Sequence, residues 1–199
     1  MSDQIQPINT IGSMAEDEKP EKEQTISQID YDKGKELLEK EQYSEAAINF
    51  HNALKGFEEA GDRYGVANAS DRLGDVCLAK KEYKMAIDNY LRALEIIRKD
   101  EDSWSELSLN KKMAKAHEGL GELSKALELM FDVSEHYSLT RNPKGTVETL
   151  EEIGRLFEVA GEKEKAADAY RTVASVHRNF KHKNMAADFE KKADALSGS

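Results

Sequence analysis

The side chains in this sequence that could do chemistry are five histidines, one cysteine and many carboxylates. Histidine and cysteine bind metals, or act as base and nucleophile, when they recur at short fixed spacings or meet in the fold. His51, His117, His136, His177 and His182 form no HExxH motif and no Cys/His metal spacing. The sequence therefore predicts no metal site and no cofactor.

The individual candidates favour structural roles. His177 and His182 are five residues apart, which places them on different faces of a helix. His117 and Cys77 occupy positions where a large packed side chain is expected, and a buried free thiol is common in protein cores. The glycines in "GLGELSKA" are too few for a phosphate-binding loop. We expect the protein not to be an enzyme.

Composition limits the partners and the compartment. The 199 residues carry a formal net charge of −10, whereas nucleic acids and anionic membranes attract clustered Lys and Arg. Cys77 is the only cysteine, so no intramolecular disulfide can form. The first residues show no basic start followed by an apolar run, and no apolar stretch is long enough to span a membrane. These features predict a cytoplasmic protein that binds neither nucleic acid nor membrane.

The elements that position these residues are set by an internal repeat of small side chains. Within each repeat an alanine follows a glycine or alanine by 12 positions, and successive repeats are 40 residues apart. A large apolar residue follows each alanine by four positions. The small pairs are Gly34/Ala46, Gly74/Ala86, Ala114/Ala126 and Gly154/Ala166. The large residues are Phe50, Tyr90, Met130 and Tyr170.

Each repeat predicts a pair of antiparallel amphipathic helices. Apolar residues recur at helical spacing, and breaks such as "AGDRYG" and "TRNPKG" separate the helices. Gly121 and Gly161 stand where a helix C-terminus needs glycine. Small residues let two helix backbones approach to about 8–10 Å, so we expect Gly74, Ala86 and their counterparts at helix–helix contacts. A single hairpin cannot bury its apolar face, so the hairpins should stack.

This pattern resembles the tetratricopeptide repeat. Leu73-Gly74, Cys77, Ala86 and Tyr90 follow the family pattern, although its first aromatic and its closing proline are absent throughout. Ile153-Gly154, Phe157, Ala166 and Tyr170 follow it again. The 40-residue period is similar to that of kinesin light chains and of adaptors of the LGN and Pins type. The resemblance implies an all-α, right-handed superhelical solenoid of four hairpins plus a C-terminal capping helix.

The two ends are expected to differ from the repeats. Residues 1–25 are polar and acidic, which predicts a disordered tail, either a solvated leader or a partner-binding segment. Residues 26–199 should form the solenoid, with a capping helix at about 182–197 that could instead bind a partner. Trp104 lies between the second and third hairpins, where it could plug the junction or remain exposed as an anchor.

In proteins of this family the first helix of each hairpin lines a concave face, which implies a set of partner-binding residues. Lys111, Lys115 and Arg155 are expected to form a basic strip beside the acidic Asp71 and Asp75. Such a groove could hold a peptide of mixed charge, or the strips could pair with one another. The residues expected to contact a partner are Tyr31, Lys35, Asn68, Asp71, Arg72, Asp75, Lys111, Lys112, Lys115, Glu151 and Arg155.

The sequence therefore favours a non-catalytic adaptor or scaffold that binds a peptide or helix of a partner protein on its concave face. The alternatives are a self-assembling structural solenoid and a regulatory subunit that modulates a partner enzyme. Some members of the family grip a C-terminal dicarboxylate with Lys and Asn. Here Tyr31, Lys35 and Arg72 depart from that pattern, and only Lys112 could serve as its last basic residue. Partner identity and oligomeric state remain open.

Overall fold

A computed structural model describes residues 25–198, and within that range the chain is helical apart from short turns. Nine helices follow one another in this range. They are α1 (Ile26–Glu39), α2 (Tyr43–Ala60), α3 (Arg63–Ala79), α4 (Tyr83–Lys99), α5 (Ser103–Gly119), α6 (Leu123–Leu139), α7 (Pro143–Val159), α8 (Lys163–Asn179) and α9 (Lys183–Ser197). From α2 onward the helices begin at steps of 20 residues, which is half of the 40-residue sequence repeat.

Every turn between these helices has the same hydrogen bonding. After α1, the backbone N–H of Gln42 donates to the carbonyl of Leu37 at 2.8 Å, and that of Glu41 donates to Leu38 at 3.0 Å. These two bonds define the Schellman motif, which satisfies carbonyls at a helix C-terminus. The same pair of bonds recurs after each helix up to α8. Uniform turns make every helix enter the stack in the same way.

One residue in each turn adopts a left-handed backbone conformation, and these residues are also 20 apart. Gly61, Gly121 and Gly161 have φ between 70° and 76°, as the motif prefers. The other five turns place a side chain there, with φ between 52° and 61°. Those residues are Glu41, Lys81, Glu101, Arg141 and Lys181. The predicted glycine caps at 121 and 161 are confirmed.

The N-termini of α3, α5 and α7 carry side-chain caps. Asp62, Asp102 and Asn142 each accept a hydrogen bond from the backbone N–H three residues later, at 2.9, 3.2 and 3.0 Å. These residues begin α3, α5 and α7 and satisfy donors that a helix start leaves free. His182 stands at the corresponding place before α9 and makes no such bond. The start of α9 therefore differs from the starts of the earlier odd-numbered helices.

Contacts between helices run along the chain order. Each helix packs against the next, and in addition α1 contacts α3 and α3 contacts α5. Within residues 25–198 the backbones of even-numbered helices do not approach one another in this way, although Arg92 on α4 pairs with Glu58 on α2. Since α1, α3 and α5 come closer together than α2 and α4 do, they lie on the inner side of this part of the stack. Such neighbour-only packing is typical of helical repeat proteins.

The small residues lie at helix–helix contacts, as the sequence predicts. A Cβ atom added at Gly74 would lie 2.3 Å from the Tyr90 ring, and Ala86 is fully buried. Gly34 meets Phe50 and Gly154 meets Tyr170 in the same way, at 2.7 Å. Each of these glycines therefore leaves room for the aromatic ring 16 residues later in the chain. The glycine thus packs against the large residue that follows the alanine by four positions.

The predicted disordered tail lies outside the described residues, except for Thr25. That residue caps α1, because its hydroxyl accepts a hydrogen bond from the Gln28 N–H at 3.2 Å. Among the described helices, none has the length and apolar character required to cross a bilayer. Cys77 is free and buried.

Candidate functional site

The residues expected to bind a partner lie on α1, α3, α5 and α7, which are odd-numbered helices. We call this surface the odd-helix face, and it comprises the 11 residues predicted above together with Ser108. Lys35, Asn68, Ser108 and Lys115 are exposed, and the other members are partly buried. The 40-residue register brings equivalent positions of successive hairpins next to one another, so a charge on one hairpin can reach the next.

Lys112 links the second hairpin to the third. Its Nζ donates to both carboxylate oxygens of Asp71, at 2.6 and 2.8 Å, and lies 2.9 Å from Asp75. The Tyr90 hydroxyl donates to Asp75 at 3.0 Å. Burial raises the pKa of Asp71, and the nearby Asp75 carboxylate raises it further. This cluster is therefore a desolvated pair of carboxylates that share one ammonium group.

Arg155 links the third hairpin to the fourth. Its guanidinium donates two parallel hydrogen bonds to Glu118 on α5, at 2.7 and 2.6 Å. Two further bonds, at 2.9 and 2.6 Å, reach Glu152 on the same helix. The hydrogen bond from Arg155 lowers the pKa of Glu152. Such fork-shaped pairing uses the geometry that distinguishes arginine from lysine.

The first and last junctions also have a cation on the later helix. Arg72 on α3 interacts with the Tyr31 hydroxyl on α1 and pairs with Asp75 at 2.9 Å. Lys192 on α9 pairs with Glu158 on α7 at 3.1 Å and lies 4.0 Å from the centre of the Tyr170 ring. Successive odd-numbered helices are thus bridged by charged side chains along the whole described stack.

These bridges change the interpretation of the predicted basic strip. Arg155 pairs with glutamates on α5 and α7, and Lys111 donates to the Tyr137 hydroxyl of its own hairpin at 2.9 Å. Pairing between neighbouring hairpins, one of the two alternatives for the charges, therefore accounts for Lys112 and Arg155. Lys112 also lies between Asp71 and Asp75, which neutralise the charge a dicarboxylate clamp would need.

Four polar side chains of the odd-helix face make no hydrogen bond or salt bridge with any described residue: Asn68, Ser108, Lys115 and Glu151. Asn68 and Ser108 line a cavity of 230 Å³ between α3 and α5, together with Asp71, Arg72, Ser105 and neighbouring apolar residues. An extended polypeptide presents N–H and C=O groups that need such partners. The geometry leaves a free amide, a free hydroxyl and a free ammonium group on this face.

Two bridging residues were not predicted from the sequence. Glu152 and Lys192 were missed, although they stand 40 and 80 residues after Lys112. Arg72, Lys112, Glu152 and Lys192 occupy one position of the repeat. Following that position along the chain would have identified all four. Tyr90 and Tyr170, predicted only as packing residues, also bond carboxylates on the preceding helix.

The prediction for His177 and His182 is wrong. The helix ends at Asn179, and the chain reverses so that the two rings face each other with their Nδ1 atoms 3.4 Å apart. No group of three or more metal-ligating side chains occurs within residues 25–198. His117 is partly buried and contacts the Glu122 carboxylate at 2.7 Å. Trp104 does not plug its junction, because its side chain is 61% exposed and touches His136 edge-on.

Comparison with known proteins identifies the repeat. Residues 27–99 match the family model of the tetratricopeptide repeat. No curated protein sequence matches this chain.

Solved structures give matches over most of the chain. The apo form of RapI superposes with a TM-score of 0.74 at 16% identity, over 86% of this chain and 49% of that one. A putative kinesin light chain from Podosopora anserina, with nearly identical TPR-like repeats, gives 0.66 at 13% identity over 87% and 97%. A Rap protein complexed with Competence and Sporulation Factor gives 0.61 at 15% identity over 85% and 54%. The chain thus spans about half of each Rap structure, and these likenesses concern the fold.

Proposed function

Because this chain is a tetratricopeptide repeat protein, we propose that it is a non-catalytic adaptor that binds a segment of a partner protein on its odd-helix face. Repeats of this type commonly mediate protein–protein interaction, and one structural neighbour is a complex with Competence and Sporulation Factor. The cytoplasmic location expected from the sequence is part of this proposal.

The observation that carries the proposal is the set of unpaired polar groups at the α3–α5 cavity. Asp71, Arg72, Asp75 and Lys112 are engaged with one another, and Arg155 pairs with two neighbouring glutamates, which holds these side chains in place. Asn68 and Ser108 remain available at the cavity, and Lys115 adds an unpaired ammonium group on α5. A preformed surface with a few free polar groups is suited to an extended peptide, since little ordering is required on binding.

The finer architecture belongs to the same proposal. In it, α1 to α8 form four hairpins of a right-handed superhelix, α9 covers the last hairpin, and the odd-helix face is concave. Asp194 on α9 supports the capping role, because it follows Gly154 by 40 residues and is exposed. At the same position of the repeat, Gly34, Gly74 and Gly154 leave room for an aromatic ring of the next helix. A further helix packed in the same way after α9 would collide with the Asp194 side chain.

A peptide selection tests this function. A random peptide library would be panned on the full chain, and the affinity of selected peptides would be measured for Lys115→Glu and for Lys84→Glu as its control. Lys84 is an exposed lysine on α4 that, like Lys115, makes no hydrogen bond or salt bridge with a described residue. Lys115→Glu should weaken binding by about tenfold, a loss of about 1.4 kcal/mol, with the melting temperature unchanged. Equal affinities for the two variants would contradict binding on the odd-helix face.

The two alternative functions have tests of their own. A self-assembling solenoid should change mass on dilution, so a constant monomer mass in light scattering excludes it. A regulatory subunit should change the rate of an enzyme that copurifies with it.

A further inference from the structure

A mainly apolar opening lies at the C-terminal end of the described stack. It is a cavity of 380 Å³ where α7, α8 and α9 meet, within the range of natural ligand pockets. Phe180 and Met185 line it and are 53% and 47% exposed. The remaining lining residues are Pro143, Lys144, Val147, Glu148, Glu151, Val176, His177 and His182. Large apolar side chains left open around a cavity indicate a binding surface.

The repeat is interrupted at the cavity. At an earlier junction Gly145 lies against the Tyr137 ring, and an added Cβ would come within 2.7 Å of it. Glycine there lets the following helix approach the ring closely. Forty residues later, Met185 replaces the glycine and His177 replaces the tyrosine. Both replacing residues, Met185 and His177, line the cavity.

Three rings line the cavity, and each of them contacts another ring. His177 stacks on Phe189 with centroids 5.7 Å apart and an interplanar angle of 13°. His182 lies 5.7 Å from His177, with the two rings tilted by 48°, and stacks on Phe180 at 6.3 Å. Rings held by their neighbours lose little freedom when a ligand binds, which favours affinity.

The rim of the cavity carries a carboxylate that no cation contacts directly. Glu151 makes no hydrogen bond or salt bridge with any described residue. Burial raises its pKa, and the neighbouring Glu148 carboxylate raises it further, while His177 and Lys192 act in the opposite direction. Lys144 pairs with Glu148 at 3.8 Å, but its side chain is 86% exposed. A cation brought to Glu151 would therefore be stabilised.

We propose that this cavity receives an apolar side chain of the partner segment whose neighbouring residue is arginine or lysine, with the cation beside Glu151. The inference rests on the proposed function, because the same segment would continue onto the odd-helix face. A hollow of 310 Å³ provides the connection, since it shares Glu148 and Glu151 with the cavity and extends to Arg155. The cavity thus selects one apolar–basic pair in the partner.

The peptides selected on the full chain provide the test. Their sequences should share an apolar residue next to arginine or lysine. Val147→Trp fills the cavity and should weaken such a peptide by about tenfold, whereas Glu151→Gln removes only the charge and should weaken it by about fivefold. Met85→Trp and Glu128→Gln are the controls, on exposed positions of α4 and α6. Phe180→Ala, at a half-exposed position, provides a second apolar variant if Val147→Trp lowers the melting temperature.

The outcomes separate this inference from the function on which it rests. Peptides weakened by Lys115→Glu but not by Val147→Trp, Phe180→Ala or Glu151→Gln would overturn the cavity proposal and leave the adaptor function intact. Peptides sensitive to the cavity variants but not to Lys115→Glu would support the cavity and contradict binding across the odd-helix face. Selected sequences without an apolar–basic pair, or a library that yields no binder, would also overturn the proposal.

Discussion

The α3–α5 and α5–α7 junctions are both held by a cation and carboxylates, but with different residue types and different burial. Each places a cation from the later helix between two carboxylates, and at the first junction Arg72 also pairs with Asp75. At the first junction a lysine, Lys112, reaches two aspartates, and the three side chains are only 18–22% exposed. At the second an arginine, Arg155, holds two glutamates, and exposure rises to between 27% and 40%.

The difference shows how burial decides what such a cluster contributes. At the α3–α5 junction desolvation outweighs the ammonium group, so the pKa of Asp71 is raised. At the α5–α7 junction four hydrogen bonds satisfy a more exposed pair, and the pKa of Glu152 is lowered. The first junction therefore depends on keeping its cation, whereas the second gains a modest stabilisation from each bond.

Replacing each cation in turn should give the largest difference in the free energy of unfolding between the two junctions. Lys112→Met leaves Asp71 and Asp75 without their ammonium group, and we expect the free energy of unfolding to fall by about 2 kcal/mol. Urea denaturation measures this loss, and Lys84→Met, at an exposed lysine, should change it by less than about 0.5 kcal/mol. A loss for Lys112→Met no greater than that of the control would show that the α3–α5 cluster contributes nothing to stability.

Arg155→Met should cost less, because water reaches the two glutamates that it leaves behind. We expect a loss of about 1 kcal/mol in the same urea experiment, typical of exposed ion pairs in good geometry. Arg155→Lys should recover only part of that loss, since lysine cannot form the paired bonds to Glu118. Full recovery by lysine would contradict the role assigned to the guanidinium fork.

The two junctions should also respond to pH in opposite directions. The raised pKa of Asp71 means that its contribution to stability is present below its ordinary value of 3.8 and is lost as the pH rises through its folded value. The lowered pKa of Glu152 means that its contribution is present above 4.5 and is lost as the pH falls through its folded value.

Asp71→Asn and Glu152→Gln test this contrast through unfolding free energies between about pH 3 and pH 7. The advantage of the native chain over Asp71→Asn should shrink as the pH rises, whereas its advantage over Glu152→Gln should shrink as the pH falls. Parallel pH profiles for the two variants would remove the distinction between the junctions.

The backbone arrangement could be predicted from the sequence because it depends on residue size at fixed intervals. Gly74 and Ala86 identify a helix contact, since no larger side chain fits there. The 20-residue period of the turns could not be recognised in the sequence, because glycine occurs at only three of the left-handed positions, Gly61, Gly121 and Gly161. The remaining turns place Lys, Arg or Glu in the left-handed conformation, where the repeated hydrogen bonds determine the backbone.

The site was harder to predict because pairing depends on side-chain reach across hairpins. The sequence predicted Lys111, Lys115 and Arg155 on one face of the odd-numbered helices, but Arg155 forms hydrogen bonds with Glu118 and Glu152. The meeting of His177 and His182 could not be found from helical spacing, because the helix ends between them.

Site-specific photo-cross-linking tests most directly whether the odd-helix face holds the partner. A benzoylphenylalanine residue would replace Ser108 on α5 or, in a second variant, His51 on the exposed side of α2. Irradiation with a selected peptide, followed by mass spectrometry, identifies which position touches it. Our account predicts a cross-link from position 108 and none from position 51. A cross-link from position 51 alone would contradict it.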